Sequence, residues 1–152
     1  MSVLTEDAQR RPELFRWYGR PEDAKFRAWL ESNRWLEQCP PDLLKFWQET
    51  GGGDAFETET ILGPSGDMPS GDDVVAVNRA MRSRGMPERF ILYHTGLLMS
   101  AVDTTQGDYV ELDPATFSVR RRFRSLEDWY VLTLRKEYGQ RYGLGTLHMR
   151  RA

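Results

Sequence analysis

Residues 89–123 read RFILYHTGLLMSAVDTTQGDYVELDPATFSVRRRF. Apolar and β-branched runs alternate in this stretch with turn signals at Thr95-Gly96, Gln106-Gly107-Asp108 and Pro114-Ala115. Runs of that length between such breaks are strands. Four are expected, over 89–94, 97–104, 109–113 and 116–123. In the third, Tyr109, Glu111 and Asp113 alternate against Val110 and Leu112. In the fourth, Phe117, Val119, Arg121 and Phe123 share a face. The connections are too short for crossover helices, so the four form an antiparallel meander.

Helices flank this meander. Downstream, Ser125-Leu126-Glu127-Asp128 approximates a capping box. Leu126, Trp129, Tyr130, Thr133 and Leu134 then follow at helical spacing, and Gly139 suits a stop. Upstream, residues 72–84 carry Val74, Val77 and Met81 at helical spacing, with Asp72 placed to cap. Residues 56–62 have the β-branched, partly alternating pattern of a strand. Pro41-Asp42 opens a helix with Leu43, Phe46 and Trp47 on one face, and Gly51 suits its left-handed terminus. An earlier helix begins at Pro21 and carries Phe26, Trp29 and Leu30. The order implies an α+β single domain, with an antiparallel sheet of about five strands and helices packed on one face. Residues 1–21 form an arm or short helix, 22–138 the domain and 139–152 a tail. Trp29, Phe46, Trp47, Phe56, Ile61, Leu112 and Trp129 are expected in one core.

At 152 residues the chain is long enough to bury a core without disulfide or metal. Its 39% hydrophobic and 29% charged content is that of a globular protein. No apolar run approaches membrane-spanning length. Glu6 and Asp7, without an apolar segment, argue against a signal peptide. Cys39 is the sole cysteine, as suits a reducing cytoplasm.

The net charge of −2 conceals an uneven distribution. From Phe46 to Asn78 there are seven acids (Glu49, Asp54, Glu57, Glu59, Asp67, Asp72 and Asp73) and no Lys or Arg. Residues 120–152 sum to +6, with a run at Arg120-Arg121-Arg122. On a strand that run divides between two faces, and it is the only basic cluster, so direct nucleic-acid binding is not expected.

Motifs for catalysis and cofactors are sparse. Gly51-Gly52-Gly53 follows a helix instead of opening one and lacks a neighbouring Gly-Lys-Ser/Thr, so it fails the phosphate-binding patterns. No Cys pair or His-x-x-x-His exists to hold a metal. Glu57 and Glu59 share a face on the expected strand but lack a third ligand nearby. No nucleophile elbow occurs. A small hydrolase using Glu57, Glu59 and His94 remains one reading, and their convergence in a cleft would favour it.

Four ordered segments resemble the SUKH superfamily of small α+β domains, which includes bacterial toxin-immunity proteins and fungal cell-wall-assembly regulators. They are Pro40-Pro41-Asp42-Leu43 with its Gly51 stop, Ile61-Leu62-Gly63-Pro64, residues 72–78 with Asn78, and Tyr109-Val110-Glu111-Leu112-Asp113 followed by Ser125-Leu126-Glu127-Asp128-Trp129. Cys39 stands where the family usually has leucine. The resemblance covers roughly residues 22–138 and implies a non-catalytic protein-binding module, with no fixed binding residues to carry over.

The acidic middle points the same way, because an inhibitor of a basic nuclease gains affinity and speed from complementary charge. The expectation is a cytoplasmic immunity protein that blocks a basic toxin domain stoichiometrically and needs no cofactor. Its candidate contacts are Asp54, Glu57, Glu59, Asp67, Asp72 and Asp73, with Glu57, Glu59, Asp72 and Asp73 expected on the surface. A regulatory or scaffold protein of the same fold is the alternative.

Overall fold

The computed structural model describes residues 2–64 and 73–145. Its elements run α1 (Val3–Arg10), β1 (Phe15–Trp17), α2 (Asp23–Ser32), α3 (Pro41–Thr50), β2 (Gly53–Ala55), β3 (Glu59–Ile61), α4 (Val74–Ser83), β4 (Phe90–Thr95), β5 (Met99–Asp103), β6 (Asp108–Leu112), β7 (Val119–Phe123), α5 (Leu126–Leu132) and α6 (Leu134–Tyr138). The architecture is α+β, as expected. The four-strand meander stands where the sequence puts it, as β4 to β7, and every neighbouring pair in the sheet is antiparallel.

The sheet is larger than expected. Among the described residues it has seven strands, not about five, in the order β1-β2-β3-β4-β5-β6-β7. Residues 56–62 are not one strand. Phe56 (φ 51°) and Glu57 (φ 69°) take left-handed backbone and turn the chain between β2 and β3. β1 comes from the segment expected as an arm or short helix. It pairs with β2 in the register Phe15↔Ala55, Arg16↔Asp54 and Trp17↔Gly53. Residues before 22 therefore belong to the same sheet and core.

Helices along one face were also too simple a picture. Ile91, Leu92, Tyr93 and His94 are all buried, as are Tyr109, Val110, Glu111 and Leu112. Side chains alternate across a strand, so these strands are covered on both faces. The unbroken apolar run Phe90-Ile91-Leu92-Tyr93 carries that signal.

The helix signals translate into specific bonds. Asp73, not Asp72, caps α4 by accepting from Val75 N–H at 2.7 Å; Asp72 lies outside the described residues. Ser125 caps α5 by accepting from Asp128 N–H at 3.0 Å. The helix expected to run on to Gly139 breaks at Thr133 into α5 and α6. Gly51 ends α3 with φ 75°, and a Cβ there would stand 2.3 Å from the Gly19 carbonyl oxygen. Only glycine meets both demands.

Asp42 joins three elements. It accepts from Leu126 N–H at the start of α5 (2.8 Å), from the Tyr109 hydroxyl on β6, and from Leu43 N–H at 3.0 Å. Trp47, fully buried, donates from its indole to the Leu62 carbonyl at 2.7 Å. Of the expected core, Trp47, Phe56, Ile61, Leu112 and Trp129 are buried, while Trp29 and Phe46 are partly buried against them. Leu4, Leu14, Phe15 and Leu144 join the same cluster from outside residues 22–138.

Candidate functional site

Six carboxylates were expected to form a surface, and they have different fates. Asp67 and Asp72 lie outside the described residues. Asp73 is half-buried and engaged as the α4 cap. Asp54 is half-buried on β2, where it accepts from the Thr60 hydroxyl at 3.2 Å. Glu57 is exposed in the β2–β3 turn. Asp54 and Glu57 come together with Glu13, Leu14 and Arg16 around a cavity of about 410 Å³ at the β1 edge of the sheet. Glu13 was not among the expected contacts. Its place follows from β1 pairing with β2, which the short β1 segment did not reveal.

Glu59 is the clear correction. It does not share a solvent face with Glu57 but is 1% exposed, at the centre of a buried polar chain. His94 Nε2 lies 2.7 Å from Glu59 Oε1, and His94 Nδ1 lies 3.0 Å from Ser100 Oγ. The Trp129 indole donates to Ser100 Oγ at 2.9 Å. At the other end, the Tyr138 hydroxyl donates to Glu59 Oε2 at 2.6 Å, and Leu97 N–H reaches both carboxylate oxygens at 3.0 Å. Gly96 makes this approach possible, since a Cβ there would stand 2.3 Å from Glu59 Oε1.

Proton placement follows from the surroundings. Burial pushes His94 below its ordinary pKa, and the Glu59 carboxylate only partly opposes it. Burial would raise Glu59, but the hydrogen bonds from His94, Tyr138 and Leu97 together hold it below the usual carboxylate value. A neutral imidazole beside a carboxylate gives one consistent chain. Trp129 donates to Ser100, Ser100 donates to His94 Nδ1, and His94 Nε2–H donates to Glu59.

This chain has the residue types of a nucleophile, base and orienting acid. Ser100 and His94 are nevertheless fully buried, and Ser100 Oγ already receives the Trp129 indole. Glu57, the remaining member of the hydrolase reading, is exposed in its turn. The three residues of that reading do not converge in a cleft. Among the described residues no group of three or more His, Cys, Asp or Glu is arranged to hold a metal.

The charge asymmetry of the sequence folds back on itself. Arg120 meets Asp113 at 2.7 Å, Arg121 meets Glu111 at 2.9 Å, and Arg122 meets Asp108 at 2.9 Å and Asp103 at 3.1 Å. The basic run on β7 thus neutralises the acids of β5, β6 and the loop after β6. Arg135 is buried against Asp7 at 2.8 Å, with Tyr130 donating to the same carboxylate. Cys39 is buried, and that burial pushes its thiol up to about 12, far from a reactive thiolate.

A second cavity, about 380 Å³, lies between α1, α3 and α5 and is lined by Leu4, Phe46, Leu126, Lys45, Glu49 and Glu127 among others. No described helix is long and apolar enough to cross a membrane. The chain matches no protein-family model, and no curated protein matches it.

Proposed function

We propose that the protein is a non-catalytic binding module that neutralises a basic toxin domain in the cytoplasm by stoichiometric capture. The observation that carries this reading is the meeting of Asp54 and Glu57 with Glu13 around one cavity at the sheet edge. Glu57 is exposed and Asp54 half-buried there, while Glu13 is paired with Arg11 at 2.7 Å; carboxylates around a concavity attract and orient cationic side chains, and they hasten encounter. The ordered SUKH-like motifs support the same class. Two of their residues, Asp42 and Asn78, are joints between elements, as expected of residues that define a scaffold. The single buried thiol agrees with a reducing compartment.

The test is co-expression. The product of the adjacent open reading frame is expressed in a susceptible cell, with and without this protein. Survival with a one-to-one complex in sedimentation is the expected result. Killing undiminished by the protein overturns the reading, as does protection at far below equimolar amounts, which belongs to an enzyme.

A further inference from the structure

A regular strand sends neighbouring side chains to opposite faces, yet Tyr93 and His94 lie on the same one. Both pack on the Trp129 ring, with centroids at 5.1 Å and 5.0 Å. The register explains it. Leu92 pairs with Ala101 and His94 with Ser100, so Tyr93 is an extra residue in β4, opposite no residue of β5. A bulge of this kind re-aims a side chain. Here it brings the Tyr93 oxygen to where the Ser100 hydroxyl can act on it as a donor.

Tyr93 is fully buried, and among the described residues its hydroxyl is the one buried side-chain hydroxyl that makes no hydrogen bond. With His94 neutral, Ser100 spends its single hydrogen on His94 Nδ1, 3.0 Å away. A proton added to His94 reverses that bond. Nε2–H still donates to Glu59, but Nδ1–H now needs Ser100 as its acceptor. Ser100 Oγ has two lone pairs, so it can accept from His94 and from the Trp129 indole together. Its own hydrogen must then go elsewhere, and burying it unpaired is costly.

We propose that Ser100 and Tyr93 form a proton switch: when His94 takes a proton from solvent at Nδ1, the Ser100 hydroxyl turns from His94 to the Tyr93 oxygen, and the core carries the imidazolium without unfolding. The new charge stands beside the Glu59 carboxylate of β3, which favours it, while burial opposes it. From α6, Tyr138 holds the far Glu59 oxygen, and Arg141 lies over the Tyr138 ring. From β6, Tyr109 packs on Tyr93 and gives its own hydrogen to Asp42 of α3, so neither competes for the Ser100 hydrogen.

The test follows His94 in the full chain carrying His148→Gln, with nitrogen-15 in the imidazole and carbon-13 in the tyrosine rings. Nε2 should carry the hydrogen at neutral pH, and Nδ1 should gain one on acidification while circular dichroism stays native. The Tyr93 Cζ signal should move with the same midpoint. Tyr93→Phe removes an oxygen without a partner, so the fold is retained, and the midpoint should fall by about one pH unit, a loss of about tenfold in proton affinity. Tyr130→Phe deletes a buried hydroxyl bonded to Asp7 instead and should leave the midpoint in place. In a Ser100→Ala background the effect of Tyr93→Phe should vanish, because the hydrogen to be rehoused is gone. A hydrogen on Nδ1 at neutral pH, an unmoved midpoint in Tyr93→Phe, the same shift with Ser100→Ala present, or unfolding before Nδ1 gains its hydrogen overturns the proposal. If Tyr93→Phe does not fold, the Tyr93 Cζ titration of the chain with Tyr93 intact decides alone, and a signal that ignores the His94 midpoint overturns the switch.

Discussion

Asn78 and Leu92 exchange two hydrogen bonds: the Asn78 amide donates to the Leu92 carbonyl at 2.9 Å, and Leu92 N–H donates to Asn78 Oδ1 at 2.7 Å. β3 ends at Ile61, which pairs with His94, and β4 runs on past it. The Asn78 side chain takes the place of the missing strand. Asn78→Leu keeps the volume and removes both partners. Each buried group left unpaired costs about 1–3 kcal/mol. Urea unfolding should therefore show a loss of about 2–6 kcal/mol, and a loss below ~1 kcal/mol would mean that water replaces the amide.

Trp47 separates packing from hydrogen bonding. It is fully buried and donates to the Leu62 carbonyl. Trp47→Ala should cost about 3–5 kcal/mol through the cavity it leaves. Trp47→Phe retains most of the contact area and strands the carbonyl, so about 1–3 kcal/mol is expected. Equal losses in the two variants would show that the hydrogen bond, not the ring, carries the effect.

Stability should fall with acid in two stages. His94 has a folded pKa below its ordinary 6.5, so the unfolded chain binds the proton more readily. Stability is full above about pH 6.5 and is lost as pH falls from there toward the folded value. Glu59, held below 4.5, adds a second loss as pH falls below that point. The slope cannot exceed about 1.4 kcal/mol per pH unit for one proton. Urea midpoints measured from pH 8 to 4 in a His148→Gln background should show the first stage. His94→Gln should abolish it, and persistence of that stage in His94→Gln would assign it to another group.

The arginines of β7 should not bind nucleic acid. Arg120, Arg121 and Arg122 each face a carboxylate of this chain. Phosphate contacts would have to displace those partners. Electrophoretic mobility of a short DNA duplex at about 0.15 M salt should be unchanged by the protein. Asp108→Asn with Asp113→Asn leaves Arg122 only Asp103 and Arg120 only the 3.8 Å approach to Glu111, and should produce a salt-sensitive shift.

The legible parts of the fold are those where a periodic pattern and a cap agree. The meander, α3 with its Gly51 stop, and the start of α5 at Ser125 are such cases. β1, β2 and β3 are three residues each, too short for a period to declare itself. The turn between β2 and β3 is made by Phe56 and Glu57, residues that rarely take left-handed backbone and give no turn signal. That concealed turn is why Glu59 was placed on the surface beside Glu57. The pairing of Glu59 with His94 spans 35 residues, and no motif announces it. That Asp54 and Glu57 belong to an acidic stretch without bases is visible in any order of folding; that they line one cavity with Glu13 is seen only in the fold. The position of Glu13 at that cavity depends on β1.

Asp7 and Arg135 are 128 residues apart in the chain and meet in the interior. Each neighbouring pair of strands from β4 to β7 closes a short loop and can zip in succession. Beyond the turn that follows it, the N-terminal helix packs on α5, and its buried aspartate waits for Tyr130 and Arg135. Closing so long a loop carries an entropic cost that nearby hairpins do not face. The central sheet should therefore assemble early, and the clasp between the two ends of the described chain should be the last contact made and the first released on unfolding.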